Sequence, residues 1–384
     1  MGTLRLEPAR IGGLSSRVVT NIWSVFDVQL AIYASALVIL GLLMAFTNSD
    51  GPPLAPGSLF TRGLMWLSLA IVAFTIASAV DYHWLRTFVW PLYFLNIALL
   101  LATLVVGSGV GGVSRWVTIG PLQFQFSEVA KILMAIVLAN WVASRPTKLT
   151  SLSTLVGAGV VAGPPLVLVL IQPDLGTSLV FGAIGFGTLF VAGANLRWMG
   201  VAVLGLVAAF PVIWTEVLKD YQKQRLVAFL DPESDPLVSG FQLLQSQIAV
   251  STGGLFGKGL TGGGPTAGAD YLPVSSTDFV FARLGQELGF VGGVVMLVVY
   301  SLLLWRVMRI GWRSRDLFGL AFSGGIGGML LFQLLVNVGM VLGIMPITGI
   351  PLPFVTHGGA SLVSIALGLG IMESIAMRQG RPSG

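Results

Sequence analysis

Ten apolar stretches take up most of this chain: Val28–Phe46, Leu59–Val80, Trp84–Gly107, Phe126–Ala143, Leu152–Ile171, Leu175–Ala194, Trp198–Leu218, Phe279–Ile310, Leu317–Met345 and Ser361–Met377. A helix rises about 1.5 Å per residue and a bilayer core is about 30 Å thick, so each stretch can span it, some with tilt. Inside lipid every backbone polar group must be satisfied within the protein, and helices of this length do that. Composition agrees: only 10% of the 384 residues are charged, against about 25% in soluble proteins. The chain is therefore expected to be an all-α integral membrane protein of about ten transmembrane helices. Residues 1–384 form a single polytopic membrane domain, with a polar lead over 1–24 and a large extracytoplasmic loop over 219–278, between helices 7 and 8.

Several function classes drop out early. The absence of cysteine removes disulfides and cysteine-bound metals. Two histidines, His83 and His357, far apart in sequence, argue against a histidine-rich metal site. The net charge of +5 is spread over connecting segments and makes no basic stripe for nucleic acid. The first span exceeds the 7–15 residues of a signal-peptide core and follows a long polar lead, so it reads as an uncleaved helix.

Lysine and arginine in the connections set the orientation. One side collects Arg5, Arg10, Arg17, Arg86, Arg145, Lys148, Arg197, Arg306, Arg309, Arg313, Arg315, Arg378 and Arg381, which is 13 of the 21 basic residues. That side is expected to be cytoplasmic, with both termini there. Within the spans, Gly157, Gly163, Gly176, Gly182, Gly185 and Gly187 read as close-packing positions, and Pro164-Pro165 as a kink.

Polar groups near the spans need an account, because charge near a bilayer is costly without a task. Glu128 and Lys131 stand i, i+3 and can pair on one helix face; Ser127-Glu128 can equally be an ordinary helix start. Gln172-Pro173 should break a helix, leaving Asp174 to open the next, as a cap or as a site residue. Between Asn337 and Leu362 the density of proline and glycine rules out a regular helix. Such backbone at membrane depth has to line a cavity or be buried in protein. The 219–278 loop holds Lys219, Lys223, Arg225 and Lys258, and ends on Asp278 at the mouth of the next span.

Taken in order, Arg115-Trp116, SEVAK at Ser127–Lys131, QPDLGTS, QRLVAFLDPESDP with GFQLLQSQIAV, GGLFGKGL, TDFVFARLGQELGF and NVGMVLGIMPITGIPLPFV with GGASL resemble the SEDS family (shape, elongation, division and sporulation). These are membrane glycosyltransferases that polymerise peptidoglycan. The GKGL form at Gly257–Leu260 is closer to the elongation branch, RodA, than to the division branch, FtsW. The pattern departs from the family at Pro273–Thr277, which lacks a Glu and a His, at Gln286, and at His357 and Ala360.

The resemblance implies transfer of lipid-linked disaccharide-pentapeptide (lipid II) into glycan strands, with undecaprenyl pyrophosphate leaving, in the bacterial cytoplasmic membrane. It implies Asp278 as general base; an N-cap is the alternative reading of that residue. Arg115, Lys131, Arg225 and Lys258 become candidates for the pyrophosphate, and Glu128 and Asp174 join them as substrate-site residues. A divalent cation, Mg or Mn, could assist as a Lewis acid, although no ligand cluster stands out. The implied partner is a class B penicillin-binding protein, a transpeptidase. A lipid II flippase or other transporter, and a non-catalytic scaffold, are the competing readings. Transporters place their site near the midplane in repeats, whereas here charge gathers at the outer face and no repeat is visible.

Overall fold

The computed structural model describes residues 26–48, 52–55, 57–107, 115–119, 122–232, 235, 239–260, 278–356 and 358–379. The polar lead through residue 24, Ser114, Pro273–Thr277, His357 and Arg381 lie outside them. The described chain is almost wholly helical, as expected, with one addition. A short antiparallel ribbon pairs β1 (Val117–Ile119) with β2 (Leu122–Phe124), with Thr118 opposite Gln123.

The long helices are α1 (Val28–Thr47), α2 (Leu59–Ala79), α4 (Val89–Val106), α5 (Phe126–Ala143), α6 (Leu152–Ile171), α12 (Val280–Trp312), α13 (Leu317–Val341) and α14 (Gly359–Met377). Among the described residues these eight are long and apolar enough to cross a membrane. A bent pair, α8 (Leu196–Ala208) with α9 (Phe210–Val212) and the π turn Ile213–Val217, breaks by 40° and makes nine if it is one span. The remaining expected span is α7 (Leu175–Val191), 17 residues and so about 25 Å of helix. The third stretch divides at Phe88 into α3 (Tyr82–Thr87) and α4. By contrast α6 runs as one helix through Pro164 and Pro165.

Short polar side chains start many of these helices by accepting first-turn N–H groups. Asp27 accepts from Leu30, Ser58 from Thr61, Asp174 from Thr177, Asn195 from Arg197 and Asp316 from Gly319. Helices α5, α13 and α14 are enclosed and form the core, α14 along α2 and α13 along α7, while α2 turns most of its surface outward. Where α7 meets α13 the backbones nearly touch. A Cβ on Gly187 would lie 2.3 Å from the Gly324 carbonyl oxygen, so only glycine fits. Gly163 and Gly182 face open space, so packing does not account for them.

The 219–278 loop is not irregular throughout. It contains α10 (Asp220–Leu230) and α11 (Ser239–Thr252), and α11 packs on α12. After α11 the turn Gly253–Gly259 clasps α12, which is broken at Gly289 (φ 68°, ψ −167°). The amides of Lys258 and Gly259 donate to the carbonyls of Gln286 and Glu287 at 2.9 and 3.0 Å. In return those of Phe290 and Val291 donate to Gly254 and Leu255 at 2.9 and 3.0 Å. The clasp thus takes up backbone groups that the break removes from the helix ladder.

Candidate active site

Four helices begin at one place. The first turns of α5, α7 and α14, and Asp278 just before α12, line a cavity of about 290 Å³. Each helix start carries orphan N–H groups and about half a positive charge, so their convergence favours a negatively charged ligand. Thr348–Pro351, Thr356 and Gly358 wall the cavity, as expected from the prolines and glycines of this stretch.

Asp278 and Arg225 both reach to Gly349. A Cβ built there would lie 3.4 Å from Asp278 Oδ2 and 3.6 Å from the nearer Arg225 nitrogen. Gly349 also has φ +71°, a left-handed backbone that favours glycine. Asn337, buried in α13, holds this wall in place. Its Nδ2 donates to the Asp278 carbonyl at 2.9 Å and to the Ile350 carbonyl at 2.8 Å. Asp278 is not the cap of α12: the N-cap is Phe279, and no side chain caps it.

Glu128 and Lys131 form a buried ion pair, Nζ to Oε2 2.8 Å, on the cavity side of α5. The alternative reading of Ser127 as a helix cap does not hold, because the N-cap of α5 is Gln125, two residues earlier. Asp174 caps α7 and also faces the cavity. Its carboxylate accepts from the Thr177 amide (3.2 Å) and hydroxyl (2.9 Å) and from Gln125 Nε2 (3.0 Å), and it lines the cavity.

Arg115 also reaches the cavity, but its guanidinium is largely engaged. It donates to the Gln172 carbonyl (3.2 Å), to the Pro173 carbonyl and to the Tyr221 hydroxyl (3.0 Å). Tyr221 in turn donates to the Pro173 carbonyl at 2.6 Å, so this arginine knots α10 to the turn between α6 and α7. Arg225 stands 5.9 Å from the Tyr221 ring centroid. Lys258 is the exception among the candidate residues. It is exposed on the clasp and is not among the residues lining the cavity.

The sequence reading missed Gln125, Gln333, Thr348 and Ser361, all of which line the cavity. Gln333 is fully buried, and neither atom of its amide has a partner. A lone glutamine inside an apolar helix was the available signal, since polar groups at membrane depth mark sites.

The carboxylates do not suit a metal. Among the described residues no group of three or more His, Asp or Glu is placed to hold one. Glu128 is committed to Lys131 and Asp174 to its cap.

Residues 27–381 match the FtsW–RodA–SpoVE family, described as "Cell cycle protein". The chain is 41% identical over 284 residues to the peptidoglycan glycosyltransferase MrdB of Escherichia coli K12, covering 74% of this chain and 76% of that one. It is 32% identical to the peptidoglycan glycosyltransferase RodA of Treponema pallidum, over 92% of this chain and 98% of that one. A solved chain from a peptidoglycan synthase complex that coordinates polymerization and crosslinking superposes with a TM-score of 0.78 at 32% identity, covering 93% of this chain and 99% of that chain. The rod shape determining protein RodA of Thermus thermophilus gives 0.70 at 29% identity, with 94% and 99% covered. With the match running from α1 to the end of α14, the chain belongs to the FtsW–RodA–SpoVE family of multi-pass membrane proteins.

Proposed function

We propose that this protein polymerises peptidoglycan during cell elongation, transferring disaccharide-pentapeptide units of lipid II into glycan strands at the cavity under Gly349. The observation that carries the reading is the approach of Asp278 and Arg225 to that glycine, amid converging helix starts. The relatives' common activity as peptidoglycan glycosyltransferases supports it.

Asp278 accepts the proton of the acceptor sugar hydroxyl as its oxygen attacks the anomeric carbon of the growing chain. The bond from that carbon to the pyrophosphate oxygen breaks, and the leaving group departs with the electron pair. Arg225 and Lys131 stabilise the negative charge that develops there, helped by the helix starts. Arg115 and Asp174 shape the wall, and Glu128 holds Lys131 in place. Lys258 serves the clasp on α12 through its backbone amide.

Asp278→Asn keeps size and removes the basic carboxylate. A general base contributes about 10²- to 10⁴-fold, so glycan synthesis by the purified variant should fall by that much while lipid II binding persists. Arg225→Ala should weaken that binding. Polymerisation by Asp278→Asn at close to the parent rate would refute the base assignment. The related synthase complex supports pairing with a class B penicillin-binding protein, and co-purification from the host checks it.

A further inference from the structure

At the opposite end of α5 a second cavity, about 240 Å³, lies between α4, α5 and α6. Val89, Val137 and Val161 give it an apolar floor, and Asn140, Ser144 and Arg145 a polar rim. Its tryptophan wall is fixed on several sides. The Trp141 indole donates to the Thr154 carbonyl at 3.2 Å, and its ring lies on Gly157, where a Cβ would come within 2.2 Å. The Arg145 guanidinium carbon stands 3.4 Å from the same ring's centroid.

One guanidinium nitrogen of Arg145 donates to the Trp141 carbonyl (3.1 Å) and the Ser144 hydroxyl (2.9 Å). Among the described residues no carboxylate pairs with it. Helices α4, α5 and α6 contain a single acidic residue, Glu128. Glu128 is bound to Lys131 and stands about 25 Å from Arg145, 17 residues on at about 1.5 Å per residue. On other elements Asp81 is paired with His83 and Arg378, and Asp316 with Arg86. A guanidinium positioned at a span end without a counter-ion calls for an anion.

The surroundings say what carries that anion. Trp90, which lines the cleft, is 52% exposed, and Phe94 on α4 and Val156 and Val160 on α6 are exposed as well, so the helices that form the cleft turn apolar side chains outward. A lipid brings phosphate and alkyl chain together, which suits a cleft with a polar rim and an apolar floor. Basic pockets between transmembrane helices bind anionic headgroups for this reason.

We propose that this cleft holds one anionic glycerophospholipid, its phosphate on Arg145 with Asn140 and Ser144, its acyl chain along Val89, Val137 and Val161. The test is native mass spectrometry of the full-length protein titrated with phosphatidylglycerol or phosphatidylcholine, with and without millimolar inorganic phosphate. The parent chain should retain one phosphatidylglycerol at least tenfold more tightly than phosphatidylcholine, and phosphate should not displace it. Arg145→Gln should abolish the preference. Val161→Phe fills the floor and leaves the charge intact, so it should lower retention at least fivefold, which keeps the test decisive if Arg145→Gln folds poorly. Parent-like retention by Val161→Phe, or displacement of the lipid by phosphate alone, overturns the proposal.

Discussion

Lys131 carries its charge inside the protein, 2% exposed, with Glu128 2.8 Å away. Breaking such a pair strands the remaining charge and typically costs about 3–5 kcal/mol, whereas replacing both partners with neutral groups costs far less. Lys131→Met should therefore destabilise strongly, and Glu128→Gln with Lys131→Met should recover most of the loss, as read from denaturation in detergent. The i, i+3 spacing made this pair legible in the sequence. Gln333 was not, because which face of an apolar helix meets a cavity depends on the packing of α13 against its neighbours. An unsatisfied buried polar group costs about 1–3 kcal/mol. Gln333→Leu should raise the melting temperature of the ligand-free protein and lower glycan synthesis. A drop in both would make Gln333 a structural residue.

Among the elements, the clasp on α12 shows where sequence reading stops. GGLFGKGL and RLGQELGF each stood out as motifs, yet their partnership is made by tertiary packing, and the break at Gly289 hides inside an apolar run. Gly257 has φ +81°, and a Cβ on it would fall 2.1 Å from the Glu287 carbonyl oxygen. Gly259 has φ +84°, and a Cβ on it would meet nothing within 4 Å. Alanine at Gly259 meets only backbone strain, of order 1–3 kcal/mol, whereas alanine at Gly257 meets strain and collision. Hydrogen exchange at the Phe290 and Val291 amides should accelerate markedly in Gly257→Ala and only slightly in Gly259→Ala. Equal protection in the two variants would mean that the clasp does not hold the break. Lys258 looked like a phosphate ligand because its charge was visible, but in the fold its amide forms a clasp bond.

Across the whole molecule, the helix ends sort into two groups. At one end lie the site cavity, α10, α11 and the clasp. At the other, Arg306 binds Asp27 (2.6 Å), Arg86 binds Asp316 (3.1 Å), and Arg378 reaches Asp81 (3.4 Å) and the Ser78 and Ala79 carbonyls. These arginines belong to the cation-rich side read from the sequence, and the fold gathers them at one end. Segregated arginine marks the cytoplasmic face, which would put the cavity outside, where a glycan strand has to grow. The chain has no cysteine, so single cysteines report cleanly. Ser251 in α11 and Arg315 before α13 are both exposed and sit at opposite ends. In intact cells a membrane-impermeant maleimide should label Ser251→Cys and leave Arg315→Cys unlabelled until the membrane is opened. The reverse pattern would place the cavity in the cytoplasm and remove the basis for extracytoplasmic polymerisation.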